Sequence, residues 1–193
     1  MPATTLDPRT ALVVIDLQRG IAAARTAPHE SSDIVARNVE LARAFRAAGL
    51  PVVLVRVSWS ADGSDMPPGR TEAPRRRGGV PEGFDVLIDE LDVQPTDIVI
   101  TKRHWGAFHG TELDLQLRRR GVTGIVLSGI ATSIGVESTA RAAHEHGYHV
   151  TVATDACGDR DADSHEHSVT KIFPRLGETA TTAEILSLVS APR

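Results

Sequence analysis

The chain has 193 residues, 41% of them hydrophobic and 24% charged, which suits one folded domain with a sizeable core and excludes disordered and fibrous classes. A net charge of −4 and a pI near 6.0 leave no electrostatic footprint for nucleic acid or an anionic membrane, so a small-molecule partner is expected. A single cysteine excludes an internal disulfide framework, no run approaches the roughly 18 apolar residues of a bilayer span, and the opening MPATTLDPRTALVVID lacks the features of a secretory signal, so a cytoplasmic location is expected.

Short Val- and Ile-rich runs alternate with stretches of helical period, the pattern of βαβ units around a buried, mostly parallel sheet. The first strand is predicted over Ala11–Asp16. A helix follows with Asp33 as N-cap, Ile34, Val39, Leu41, Phe45 and Ala48 on one broad face, and Gly49 just past its end. Pro51–Val57 forms the second strand. Residues 60–83 then carry no periodicity and are crowded with Gly and Pro; leaving the carboxyl edge of a parallel sheet, they fit either a substrate lid or a surface loop.

The third strand is Asp97–Lys102, and Thr111 caps a helix running to Arg120, with Leu113 and Leu117 one turn apart and Gly121 closing it. The run Arg118-Arg119-Arg120 fits favourable charge at a helix C-terminus. Gly124–Ile130 is the fourth strand, and SGIATSIGVEST turns sharply from it into an alanine-rich helix. His149–Asp155 is the fifth strand and a weaker sixth lies near Thr179; no repeat or linker divides residues 1–193.

A parallel sheet delivers every strand's last residue to one edge. Asp16, Lys102 and the turn after the fourth strand therefore converge if their strands are neighbours or nearly so, bringing a carboxylate, an ammonium and backbone N–H groups together. The same residues also fit a structural ion pair beside an ordinary helix cap.

The segments VVIDLQ, TKRHWGAFHGTELDLQLRRRGV, SGIATSIGVESTARAAHEHGYHVTVATDAC and IFPRLGETATTAEIL resemble the isochorismatase-like hydrolase superfamily, which includes nicotinamidases, other cysteine amidohydrolases and isochorismatases. The resemblance implies a Rossmann-like three-layer α/β/α sandwich with a six-stranded sheet, a homo-oligomer (dimer or tetramer), and a catalytic Asp, Lys and Cys. By position these are Asp16, Lys102 and Gly135, so the nucleophile position is vacant. It also implies a cis peptide at Ile130-Ala131, and substrate contacts from Ile130, Ala131 and Ile134.

Gly135 cannot attack a carbonyl, and the other conceivable nucleophiles read blandly: Cys157 as a small buried residue, Ser133 as a turn or capping residue. Isochorismatases resemble this chain in lacking the cysteine, and there an Asp general acid protonates an enol-ether carbon to give an oxocarbenium ion that water captures. An Asp that donates must be kept protonated by burial against the influence of a nearby Lys. Lys102 then orients the carboxyl, binds a substrate carboxylate or stabilises water, and N–H groups around Gly135 offer a carboxylate cradle. The expected activity is hydrolysis of a small anionic or cyclic molecule; the alternative is a family member reduced to ligand binding or a structural role.

The aromatic-rich DFWGPG-like run of isochorismatases has no counterpart in SADGSDMPPGRTEAPRRRGGVPEG. Arg70, Arg75, Arg76 and Arg77 there fit a solvated charge run or an anion site, and Trp59, Trp105 and Phe108, beside strand ends, fit either the packing of a flat substrate or the core. No histidine lies between His29 and His104, so the metal site of nicotinamidases is missing. Asp161 and His165 have the spacing of one helix face, His144, His146 and His149 cluster in sequence, and His109 reads as a loop residue; neither metal nor cofactor is expected.

Overall fold

In a computed structural model that describes residues 3–67, 69–72 and 79–191, the apolar runs become six strands: β1 (Thr10–Ile15), β2 (Val52–Val57), β3 (Ile98–Lys102), β4 (Gly124–Ile130), β5 (His149–Gly158) and β6 (Glu178–Ala180). They form one sheet in the order β3-β2-β1-β4-β5-β6, every pair parallel. β1 and β4 are buried along their whole length, because both faces of the central strands are covered.

The helices are α1 (Arg19–Ala22), α2 (Ser31–Ala47), α3 (Leu113–Arg119), α4 (Glu137–Glu145), α5 (Ala162–His167), α6 (Phe173–Leu176) and α7 (Thr182–Ser190). Alternation along β1 assigns them to layers. Ala11, Val13 and Ile15 pack with Leu113, Leu117, Ala140 and Phe173 of α3, α4 and α6, whereas Leu12 and Val14 pack with Ile34, Leu41, Phe45 and Ile185 of α2 and α7. The result is the three-layer α/β/α sandwich.

Two helix starts differ from expectation. Glu30 is the N-cap of α2 through its extended backbone, and Asp33 lies inside the first turn, where its charge faces the positive helix end. α3 begins at Leu113, although the Thr111 hydroxyl still accepts a hydrogen bond from the Leu113 N–H (3.1 Å). Gly49 and Gly121 take the left-handed conformation that ends the preceding helices.

The strand order reverses on either side of β1, so a crevice opens outside the carboxyl ends of β1 and β4. Its floor depends on close packing at Gly129, whose φ is +115° and where a Cβ would lie 2.1 Å from the Ile15 carbonyl oxygen. Beside it, the Ser128 hydroxyl donates to Asn38 Oδ1 (2.6 Å), and Asn38 Nδ2 donates to the Ile34 and Ala156 carbonyls, tying α2 to the sheet where β4 and β5 shift register.

Gly129→Ala is therefore expected to lower the unfolding free energy by more than about 2 kcal/mol, as a backbone clash and an unfavourable φ combine. Gly147→Ala, at φ +80° with nothing within 4 Å of its Cβ, should cost only about 1–2 kcal/mol. Urea titration of both variants checks the contrast.

Candidate active site

β1 stops at Ile15, and Asp16 follows it with φ 54°, a left-handed conformation that Asp tolerates better than most residues. Its N–H still donates to the Val55 carbonyl (2.8 Å), so the residue is held to the sheet edge. Lys102 ends β3, two strands away, level with Val57 of the intervening β2. Its long side chain spans that strand: Nζ donates to Asp16 Oδ2 (2.7 Å) and to the His104 carbonyl (3.2 Å). Both residues are buried, and Asp16 Oδ1 is buried without a hydrogen-bond partner among the described residues.

Burial pushes the Asp16 carboxyl up to about 6, against the downward pull of the Lys102 charge and its hydrogen bond. Gln18 braces the pair. Its Nε2 donates to the Val57 and Phe84 carbonyls (2.9 Å each), and its Oε1 accepts from the Val57 N–H (2.8 Å), which joins the ends of β1 and β2 to the wall behind them.

After β4 the chain makes a cis Ile130-Ala131 peptide and a wide turn over Thr132–Val136, in which the Val136 N–H reaches back to the Ala131 carbonyl (3.1 Å) before α4 begins. The Thr139 hydroxyl donates to the Gly135 carbonyl (2.6 Å) and accepts from the Ala107 N–H (3.0 Å), pinning the segment after β3 against this turn. At Gly135 a Cβ would lie 3.4 Å from Asp16 Oδ2 but only 2.8 Å from Ile15 Cγ2. The vacant position is thus beside the carboxyl, and an Ile15 methyl crowds it.

These elements bound a cavity of about 330 Å3 lined by Asp16, Lys102, Gly135, Ile130, Ala131 and Ile134, with Val57, Trp59, Met66, Phe84, His104 and Trp105 among its other walls and Arg25 and Arg160 also facing it. Trp59 is fixed by its Nε1 donating to the Arg103 carbonyl (2.9 Å) and packs on Phe84.

An isochorismatase domain model matches residues 10–184. The chain belongs to the isochorismatase family of hydrolases. It is 48% identical over 178 residues to the isochorismatase family protein YecD of Escherichia coli O157:H7, covering 92% of this chain and 95% of that one. It is 31% identical over 212 residues to the ureidoacrylate amidohydrolase RutB of Methylobacterium radiotolerans, covering 97% and 82%. An isochorismatase family protein from Burkholderia thailandensis superposes with a TM-score of 0.93 at 46% identity, covering 97% of this chain and 98% of that one.

Within this isochorismatase fold most of the expected site residues meet, and some do not. Asp16, Lys102, Gly135, Ile130, Ala131, Ile134, Trp59 and Trp105 share the cavity. Phe108 does not: it is buried in the layer of α3 and α4, against Tyr148 and His146, because the Thr139 tether draws the chain after Trp105 inward.

The expected N–H cradle is partly filled from within. The Ser133 N–H donates to Asp159 Oδ2 (2.6 Å) and the Ile134 N–H to the Ala131 carbonyl (3.2 Å). Ser133 is not among the cavity walls, and His165 has its Nδ1 at the hydroxyl of the preceding Thr132 (2.9 Å). Cys157 is fully buried, which pushes its thiol up to about 12.

Asp161 caps α5 by accepting from the Ser164 N–H (2.9 Å) and so leaves the helix face it was to share with His165. His144, His146 and His149 bind or face groups away from the cavity, and His109 packs edge-on against His104. Among the described residues no group of three or more His, Cys, Asp or Glu gathers as a metal site, and no helix is long and apolar enough to cross a membrane. Arg75, Arg76 and Arg77 lie outside the described residues. Gln18, Phe84, Arg25 and Arg160 were not anticipated. Only Gln18 carried a local signal, as the polar residue two places beyond Asp16.

Two outcomes follow from this packing. Asp16 stays neutral in the folded chain above its ordinary 3.8, so the stability of the parent relative to Asp16→Asn should fall as pH rises from about 4 to about 6 and level off above 7. Thermal unfolding of both proteins across that range reads it. Gly135→Cys should cost about 1–3 kcal/mol by overpacking against Ile15. The double variant with Ile15→Ala should lose less than the sum of the single changes in a urea-denaturation cycle.

Proposed function

We propose that this hydrolase cleaves a small anionic or cyclic molecule without a covalent intermediate, and that Asp16 transfers the proton. The observation that carries the reading is the asymmetry of a carboxyl that lines the cavity: Lys102 holds Oδ2, while Oδ1 is buried with no hydrogen-bond partner among the described residues. A buried carboxylate oxygen left unpaired is costly, and protonation relieves that cost. With its pKa near 6, the group populates both acid and base forms close to neutrality, which suits proton transfer.

For an enol ether the steps balance as follows. The Asp16 carboxyl gives its proton to the alkene carbon, and the ether oxygen shares its electrons to form an oxocarbenium ion. Water adds to the cationic carbon, and its proton returns to the Asp16 carboxylate, now favoured by Lys102. The resulting hemiketal collapses to a carbonyl compound and an alcohol. An acyl route lacks its attacker: Gly135 has no side chain, and Cys157 is a buried, protonated thiol.

The test pairs enol-ether carboxylates with matched amides and ureides, follows products by mass spectrometry, and repeats the reaction in heavy water. Enol-ether cleavage should place one deuterium on the carbon next to the new carbonyl, fall at least about 100-fold in kcat for Asp16→Asn, and persist in Cys157→Ala. As Asp16 acts as acid, kcat/KM should decline as pH rises through about 6. Lys102→Met, which removes the charge that lowers the carboxyl pKa, should move that decline to higher pH. Amide hydrolysis that survives Asp16→Asn, or an acyl adduct on the protein, would overturn the reading.

A further inference from the structure

The cavity holds more positive charge than the Asp16–Lys102 pair uses. Arg25, in the segment after α1, and Arg160, just beyond β5, both line it and are both exposed, so they stand at its rim. Neither guanidinium has a hydrogen-bond or ion-pair partner among the described residues. Their segments are joined: the Ala27 N–H donates to the Asp159 carbonyl (2.7 Å) and the Asp159 N–H to the Ala27 carbonyl (2.8 Å), an antiparallel bridge. That bridge places the segments carrying Arg25 and Arg160 side by side, and both residues line the cavity.

Asp159, the acid just before Arg160, is already used. Asp159 is buried, with Oδ2 on the Ser133 N–H and Oδ1 on the N–H of Arg160 itself (2.7 Å). The protein therefore supplies its own anion to the turn, and the side-chain cations at the rim are left for another. Much of the rest of the lining is apolar, with Val57, Trp59, Phe84, Trp105, Ile130 and Ile134 among it, and the volume is at the small end of ligand cavities.

We propose that Arg25 and Arg160 form a carboxylate clamp, and that the substrate is a small organic acid with its carboxylate at this rim and its apolar body against the aromatic wall. This rests on the reading of the cavity as the reaction site. Guanidinium forks match carboxylate geometry. Phosphate sites built on glycine-rich loops rely on free backbone N–H groups, and at this turn those of Ser133 and Ile134 are taken.

The clamp can be read by binding alone. Both tryptophans of the chain line the cavity, so their fluorescence reports on it. Butyrate, cyclohexanecarboxylate and phenylacetate are titrated at pH 7.5 beside their own carboxamides, which keep the shape and remove the charge. At least one acid should bind the parent protein about tenfold or more tighter than its amide, the advantage of charge-assisted bonds. Arg25→Gln and Arg160→Gln should each remove most of that preference with amide affinity unchanged, and the double variant should bind acid and amide alike.

Binding of no acid, equal affinity for acid and amide in the parent, or a preference intact in the double variant would overturn the clamp. Asp16→Asn should keep the preference, which separates the two readings. Acid preference without any turnover sinks the proton-transfer chemistry alone, and Asp16-dependent turnover of uncharged substrates with no acid preference sinks the clamp alone.

Discussion

A lysine and an aspartate held out of water beside one another are the constraint around which this end of the sheet is arranged. Desolvating two charges costs several kcal/mol each, and the mutual attraction offsets it only when the remaining polar atoms are also satisfied. Here they are not all satisfied, since Asp16 Oδ1 has no partner. An ion pair kept for stability alone would close both oxygens. The carboxyl resolves the conflict by holding a proton more tightly than usual, with burial outweighing Lys102. Geometry makes this possible: β2 separates the two strand ends, and a lysine stem is long enough to cross it at the level of Val57.

The bare backbone at Gly135 belongs to the same arrangement. A residue with a side chain there would bring its Cβ to 3.4 Å from Asp16 Oδ2, a position suited to a nucleophile next to a base. Ile15 Cγ2 already occupies part of that space. The absence of a side chain at position 135 is therefore matched by the packing of β1 as well as by the turn.

The fold and the meeting of Asp16 with Lys102 were largely legible in the sequence, because both follow from local periodicity. Continuous apolar runs mark buried parallel strands, and a parallel sheet sends Asp16, Lys102 and the turn to one edge whatever the connecting segments do. The cavity walls were less legible because they depend on contacts between segments distant in sequence. Phe108 was misplaced since its direction is set by the Thr139 tether, one helix away. Arg25 and Arg160 look like ordinary surface charges until the bridge between Ala27 and Asp159 brings their segments together at the cavity. The start of α2 was misread because Asp33 has cap chemistry, whereas the backbone of Glu30 has the cap conformation.

If the rim cations hold a carboxylate, binding and proton transfer are coupled through electrostatics. In the free protein the Lys102 charge favours the ionised Asp16 carboxyl. A bound carboxylate neutralises part of that field and brings a second anion into the same cavity, which favours the protonated carboxyl instead. The substrate's own charge then shifts Asp16 toward the acid form that the reaction consumes. By linkage the same coupling makes the acid form bind the anion more tightly. The pKa governing kcat, which belongs to the bound complex, should consequently lie above the value near 6 that governs kcat/KM in the free protein. An uncharged substrate would leave the two equal, so the separation between the profiles measures how far substrate charge takes part in the chemistry.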